Sequence, residues 1–130
     1  MRFDRERQLY PMVRKHFASY PYRMEEVPFE GKRIDLVFVA RNGVTSSVEV
    51  KLQHWKGALH QATVNRLAVD YSYVALPKEQ VRESQLKDFH SRGIGVLSVD
   101  GKASATLKAA RSKVKDYGLA ATLRRAVRGK

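Results

Sequence analysis

The chain has 130 residues and no cysteine, enough length for one self-standing core, and it excludes a disulfide scaffold, a cysteine nucleophile and a cysteine-ligated zinc site. Its 25 Lys and Arg against 13 Asp and Glu leave a formal charge of +12, which favours a polyanionic partner, nucleic acid first, over a merely solvated basic surface. The opening residues, MRFDRERQ, are too charged for a secretory signal and no apolar run could cross a bilayer, so a soluble, cytoplasmic protein with no membrane partner is expected.

Residues 4 to 19 carry Leu9, Met12, Val13 and Phe17 at helical spacing, with Phe3 a further candidate and Asp4 placed to cap. Pro11 argues for a kink or a delayed start, because an interior proline costs about 3 kcal/mol. Glu6, near that start, ordinarily would do no more than complement the helix dipole. Ser19 to Pro21 break the chain, residues 23 to 29 read as a strand, and Glu30-Gly31-Lys32 turns it into the next.

Residues 33 to 51, RIDLVFVARNGVTSSVEVK, read as two strands around a tight turn, with Val37, Phe38, Val39, Val48 and Val50 supplying β-branched and aromatic bulk. Two loop lengths compete here. A three-residue loop, Arg41-Asn42-Gly43, pairs Ala40 with Val44 and sets Asp35 opposite Glu49, with Lys51 on the same face. A two-residue Asn42-Gly43 turn slips the register by one and sends Asp35 to the other face. We adopt the three-residue loop. Two carboxylates so close repel each other and call for a cation. The plainer alternative makes Asp35 and Glu49 cross-strand ion-pair partners of Arg33 and Lys51.

A helix is expected from residue 56 to about 69, with Ala58, Leu59, Ala62, Leu67 and Val69 buried and Trp55 packed at its start. Residues 71 to 76 form a strand, 78 to 91 a helix anchored by Val81, Leu86 and Phe89 and stopped by Gly93, and 94 to 99 another strand. Asp100-Gly101 turns the chain into an antiparallel edge strand over 102 to 108. The basic tail, 109 to 130, places Leu119, Leu123, Ala126 and Val127 at helical spacing among Arg124, Arg125 and Arg128. A packed terminal helix with a solvated basic face and a phosphate-contacting helix fit that pattern equally well. The whole is expected to be one α/β domain over 1 to 130, a core from about 4 to 99 and a basic extension from about 100.

No G-x-S-x-G elbow, Walker-type loop or dinucleotide fingerprint is present; Gly93 and Gly95 lead into a strand, the reverse of the required order. His16, His54, His60 and His90 show no ligand spacing.

With Ile34-Asp35 on one strand, Glu49-Val50-Lys51 on the next, Glu6 in the leading helix and Gln61 in the helix that follows, the chain resembles the PD-(D/E)XK nuclease superfamily over about residues 4 to 99. Glu-x-Lys alone arises by chance in about one chain of this size in three, so the weight lies in its place at the end of a β-branched strand. The resemblance implies a restriction-endonuclease-like αβββαβ core with a mixed central sheet flanked by helices, followed by a strand and the basic helix. It further implies a metal-dependent endonuclease that hydrolyses phosphodiester bonds in DNA. Asp35, Glu49 and the Val50 carbonyl would bind Mg²⁺ or Mn²⁺, and Lys51 would orient the attacking water or stabilise charge on the phosphate. Gln61 would hold the lysine, the water or the backbone, and Glu6 would add a ligand directly or through water.

Arg33, Lys56, His60, Arg124, Arg125 and Arg128 are the candidate nucleic-acid contacts. A small basic domain without an added specificity module suits structured DNA (junctions, flaps or ends), and the Glu6-Arg7 pair suits a Holliday junction resolvase acting as a homodimer. The competing expectations are a non-catalytic nucleic-acid-binding module, alone or within a larger complex, and, less strongly, a protein–protein adaptor using the basic tail.

Overall fold

Pro11 decides where the first helix begins. In the computed structural model, which describes residues 2–129, a 3-10 turn over Glu6–Leu9 precedes α1, Tyr10–His16, and Pro11 falls in the first turn of α1, where its missing N–H leaves no carbonyl unpaired. The cap is not Asp4. The Gln8 side chain reaches back to accept from the backbone N–H of Asp4 at 2.7 Å and of Arg5 at 2.9 Å. The helix expected over 4 to 19 is therefore shorter and starts later.

The β-branched segments become β1, Tyr22–Phe29; β2, Lys32–Val39; β3, Thr45–Val50; β4, Tyr71–Pro77; β5, Gly95–Val99; and β6, Ala103–Leu107. They form one sheet in sequence order: β1, β2 and β3 antiparallel, β3, β4 and β5 parallel, and β6 antiparallel along β5. Parallel neighbours need crossovers, which α2, Trp55–Asn65, and α3, Glu83–Ser91, provide. The final helix is α4, Tyr117–Arg128. The molecule is thus α/β, a mixed six-stranded sheet flanked by helices.

Two further boundaries differ from the sequence expectation. α2 ends at Asn65 rather than near 69, because the N–H groups of Ala68 and Val69 fold back on the Asn65 carbonyl and Asp70 docks on Thr45. Leu67, expected to be buried, is consequently exposed. The helix expected over 78 to 91 is broken by Val81, which is extended at φ −84°, into a 3-10 turn and α3.

Helices cover both faces. On one, Leu9, Val13 and Phe17 pack on Leu36, Phe38, Val48 and Val50, with the Phe17 ring stacked on Phe38 at 4.5 Å. On the other, α2 and α3 pack on Val74, Leu76 and Val96, while Leu123 and Val127 of α4 cover Val37 and Val39. β6 and α4 are thus integrated into the sheet and its core.

Alternation along β2 fails at one point. Ile34 and Leu36 should share a face, yet Ile34 packs under α4 with Val27 while Leu36 packs against α1. The ribbon crosses over at Asp35 and, opposite it in the β1–β2 register, at Glu26, whose φ of 54° is left-handed. That crossover frames the candidate site.

Candidate active site

The three-residue loop is the one the chain adopts. Ala40 N–H donates to the Val44 carbonyl at 2.8 Å, and Gly43, at φ 92°, donates to the Ala40 carbonyl at 2.9 Å. Asn42 Oδ1 accepts from the Val44 N–H and ties off the turn. The register runs from Val39 with Thr45 to Leu36 with Val48, and its next step sets Asp35 beside Glu49. There the ladder gives way to a side chain: the Val50 N–H donates to Asp35 Oδ2 at 2.8 Å.

Glu49 is only 7% exposed. Asn65 Nδ2 at the end of α2 donates to its Oε2 at 2.9 Å, and Gln61 Nε2, one turn earlier, donates to Asn65 Oδ1 at 3.0 Å. Gln61 therefore reaches Glu49 through Asn65. Burial and the Asp35 charge push Glu49 up to about 8. Burial likewise lifts Asp35 to about 6; the Val50 N–H pulls the other way, Glu26 and Glu6 push it further up, and Lys51 offsets part of that. Both groups bind protons far more tightly than free carboxyls do.

Glu6 and Lys51 meet at the rim, where Lys51 Nζ lies 3.8 Å from Glu6 Oε2 with both side chains partly exposed. Among the described residues neither Asp35 nor Glu49 forms an ion pair with Arg33 or Lys51, so the cross-strand ion-pair alternative does not hold. Arg7 is spent on Glu25 and Glu26, at 3.4 and 3.3 Å.

The candidate contact residues divide. Arg33, Lys56 and His60 are exposed on β2 and α2. Trp55 packs on Phe89, centroids 5.5 Å apart, as a helix-start residue should. Arg124, Arg125 and Arg128 are not brought to the carboxylates; α4 buries Ala120, Leu123 and Val127 and carries Arg124 and Arg128 to a cleft at the β2–β3 turn, with Arg125 beside them. Ala126, expected at the buried face of α4, is exposed.

No family model matches this chain, and no curated protein does. Among solved structures, a protein of unknown function from Silicibacter pomeroyi is similar over 100% of this chain and 85% of its own length, with a TM-score of 0.72 and 21% identity. At that identity the likeness speaks for the fold alone.

A divalent ion fits the donors present. Asp35 Oδ2 accepts from Val50 and Glu49 Oε2 accepts from Asn65, and the Glu49 carboxyl also meets the backbone and the side chain of Asp35, so the two acids touch where a cation would take the place of a shared proton. No cluster of three or more His, Cys, Asp or Glu placed to hold an ion occurs among the described residues. The protein ligands would therefore be two carboxylates and backbone carbonyl, with water completing the shell, a set that suits Mg²⁺ or Mn²⁺.

Three residues of the site escaped the sequence reading. Glu26 faces Asp35 through the Glu30-Gly31 turn, a register that counting outward from Phe29 and Lys32 gives directly. Asn65 stands four residues after Gln61, hence on the same face of α2. Tyr10 is buried, and burial first and Asp35 second raise its hydroxyl above the usual phenol range; no sequence signal singles it out.

Proposed function

We propose that this chain is a metal-dependent nuclease of the PD-(D/E)XK type, with a restriction-endonuclease-like core running from α1 through β4, which cleaves phosphodiester bonds in DNA. The observation that carries the reading is the buried carboxyl of Glu49 beside the half-buried one of Asp35, juxtaposed by one hairpin with no cationic side chain paired to either among the described residues. Such a pair is costly without a cation and is well made for one.

Asp35 and Glu49 would hold the ion, with the Val50 carbonyl. Bound there, it would polarise a phosphate oxygen and lower the pKa of a coordinated water. Asn65, braced by Gln61, fixes the orientation of Glu49. Lys51 presents an ammonium at the rim to orient water or to meet charge growing on the phosphate, and Glu6 holds that ammonium in place. The basic surface gathers the polyanion. Structured DNA, four-way junctions included, is the first substrate class to try; a homodimer would supply two cuts.

The test is cleavage of branched, nicked and linear DNA with Mg²⁺, Mn²⁺ or EDTA, beside Asp35→Asn, Glu49→Gln and Lys51→Ala. The expected result is cutting that needs metal and falls about 100-fold or more in each variant. Cutting that survives EDTA or Asp35→Asn would refute it; metal-independent binding without cutting would favour a non-catalytic binding module.

A further inference from the structure

A second polar centre lies at the far end of the β2–β3 ribbon and is organised by Asp70. This carboxyl is buried and accepts from the Thr45 N–H at 2.9 Å, the Thr45 hydroxyl at 3.2 Å, Lys115 Nζ at 2.6 Å and Arg111 at 3.4 Å. Burial works to raise its pKa, yet the Lys115 and Thr45 bonds outweigh that and hold it below the usual range, so Asp70 is an anion that fixes two cations. In front of it opens a cleft of about 430 Å³, lined also by Asn42, Gly43, Arg124 and Arg128. Four cationic side chains thus face one carboxylate. Arg124 has no acidic partner among the described residues, and Arg128 Nε is buried with no hydrogen-bond partner. A shallower depression of about 220 Å³ continues along Arg124, Arg125 and Arg128.

Complementing the α4 dipole would explain Arg125 and Arg128 in its last turn. It does not explain Arg111 and Lys115, which arrive from the preceding loop and converge on the same cleft. A lipid surface is disfavoured, because Leu123 and Val127 of α4 are buried in the core and the cleft is lined mainly by polar and charged side chains. Forked guanidinium groups around a concave site match the geometry of a phosphate.

We infer that this cleft seats a backbone phosphate of the bound nucleic acid, remote from the cutting centre. The choice of nucleic acid rests on the proposed function; the phosphate chemistry does not. Asn42 lies seven positions beyond Asp35 along β2 and its turn, about 20 Å at strand rise. That spans about six base steps at about 3.4 Å each, so a shorter duplex cannot engage both places.

The test is duplex binding in EDTA across a salt series, for wild type, Arg124→Ala, Arg124→Lys and Arg124→Ala/Arg128→Ala, with inorganic phosphate as competitor. Expected are a loss of about tenfold or more in the double variant and a log–log salt slope shallower by about one per arginine removed. Arg124→Lys should recover part of the loss. Arg128 also lies over the Tyr22 ring at 5.1 Å; should the double variant melt early, Arg124→Ala decides alone. Unchanged affinity and slope in a folded variant would overturn the inference. So would tight inorganic phosphate binding that the substitutions abolish while duplex affinity stays intact, which would assign the cleft to a small phosphate. Loss of binding in these variants without metal-dependent cutting by wild type would support the cleft while removing the nuclease reading.

Discussion

At the scale of single residues, Glu49 depends on Asn65, which is fully buried and donates to it. Asn65→Ala should lower metal-dependent cleavage about 10- to 100-fold and weaken metal affinity, readable from rate against metal concentration. Asn65→Asp, by placing a further carboxyl against Glu49, should be worse. The raised carboxyls also fix a pH response. Their folded pKa values, about 6 for Asp35 and about 8 for Glu49, exceed the unfolded ones, so the folded state holds protons that the unfolded state has released. Their contribution to stability is full below the ordinary carboxylate range and is lost as pH rises through those folded values. Metal-free protein should thus melt at progressively lower temperature over that rise. Mg²⁺ or Mn²⁺ should restore the Tm, more at the alkaline end than at the acid end, since ions and protons compete for the same oxygens. A Tm that is flat with pH, or a metal effect independent of it, would show the carboxyls to be ordinary.

At the scale of elements, Gly95 shows how closely β5 is fitted. A Cβ there would lie 2.6 Å from the Ala109 backbone nitrogen and would strike the Tyr73 ring. Gly95→Ala should cost about 1–3 kcal/mol in denaturant melts, with m unchanged. The strand segments and the hairpin register could be read from the sequence, because β-branched runs, Gly43 and the Glu30-Gly31 turn carry local signals. The end of α2 and the start of α3 could not. α2 stops at Asn65 because Asp70 docks on Thr45, a contact 25 residues apart that no local pattern encodes. Within the site, Asp35, Glu49 and Lys51 follow from register counting, while Tyr10 joins them only through tertiary packing.

At the scale of the whole molecule, the last helix belongs to the core. Leu123 and Val127 cover Val27, Ile34, Val37 and Val39, and Asp116 caps α4 by accepting from the Leu119 N–H at 2.9 Å. Leu123→Ala should cost about 2–5 kcal/mol, and Asp116→Ala about 1 kcal/mol, both measured by chemical denaturation. The tail packs as a terminal helix, with Leu123 and Val127 buried and its arginines left toward the surface, where the phosphate contact proposed for them is the matter for the binding series. Its charge in turn sets long-range attraction: binding should weaken steeply with salt, whatever the state of Asp35.

Two acids joined across one hairpin are proposed to hold a divalent ion. Calorimetric titration of Mn²⁺ into the metal-free protein near neutral pH, in buffers of different ionisation enthalpy, tests this proposal most directly. Wild type should bind one ion per chain with release of protons, and Asp35→Asn and Glu49→Gln should each abolish or severely weaken that binding while remaining folded. Saturable binding unaffected by either substitution, or no binding by wild type, would contradict it.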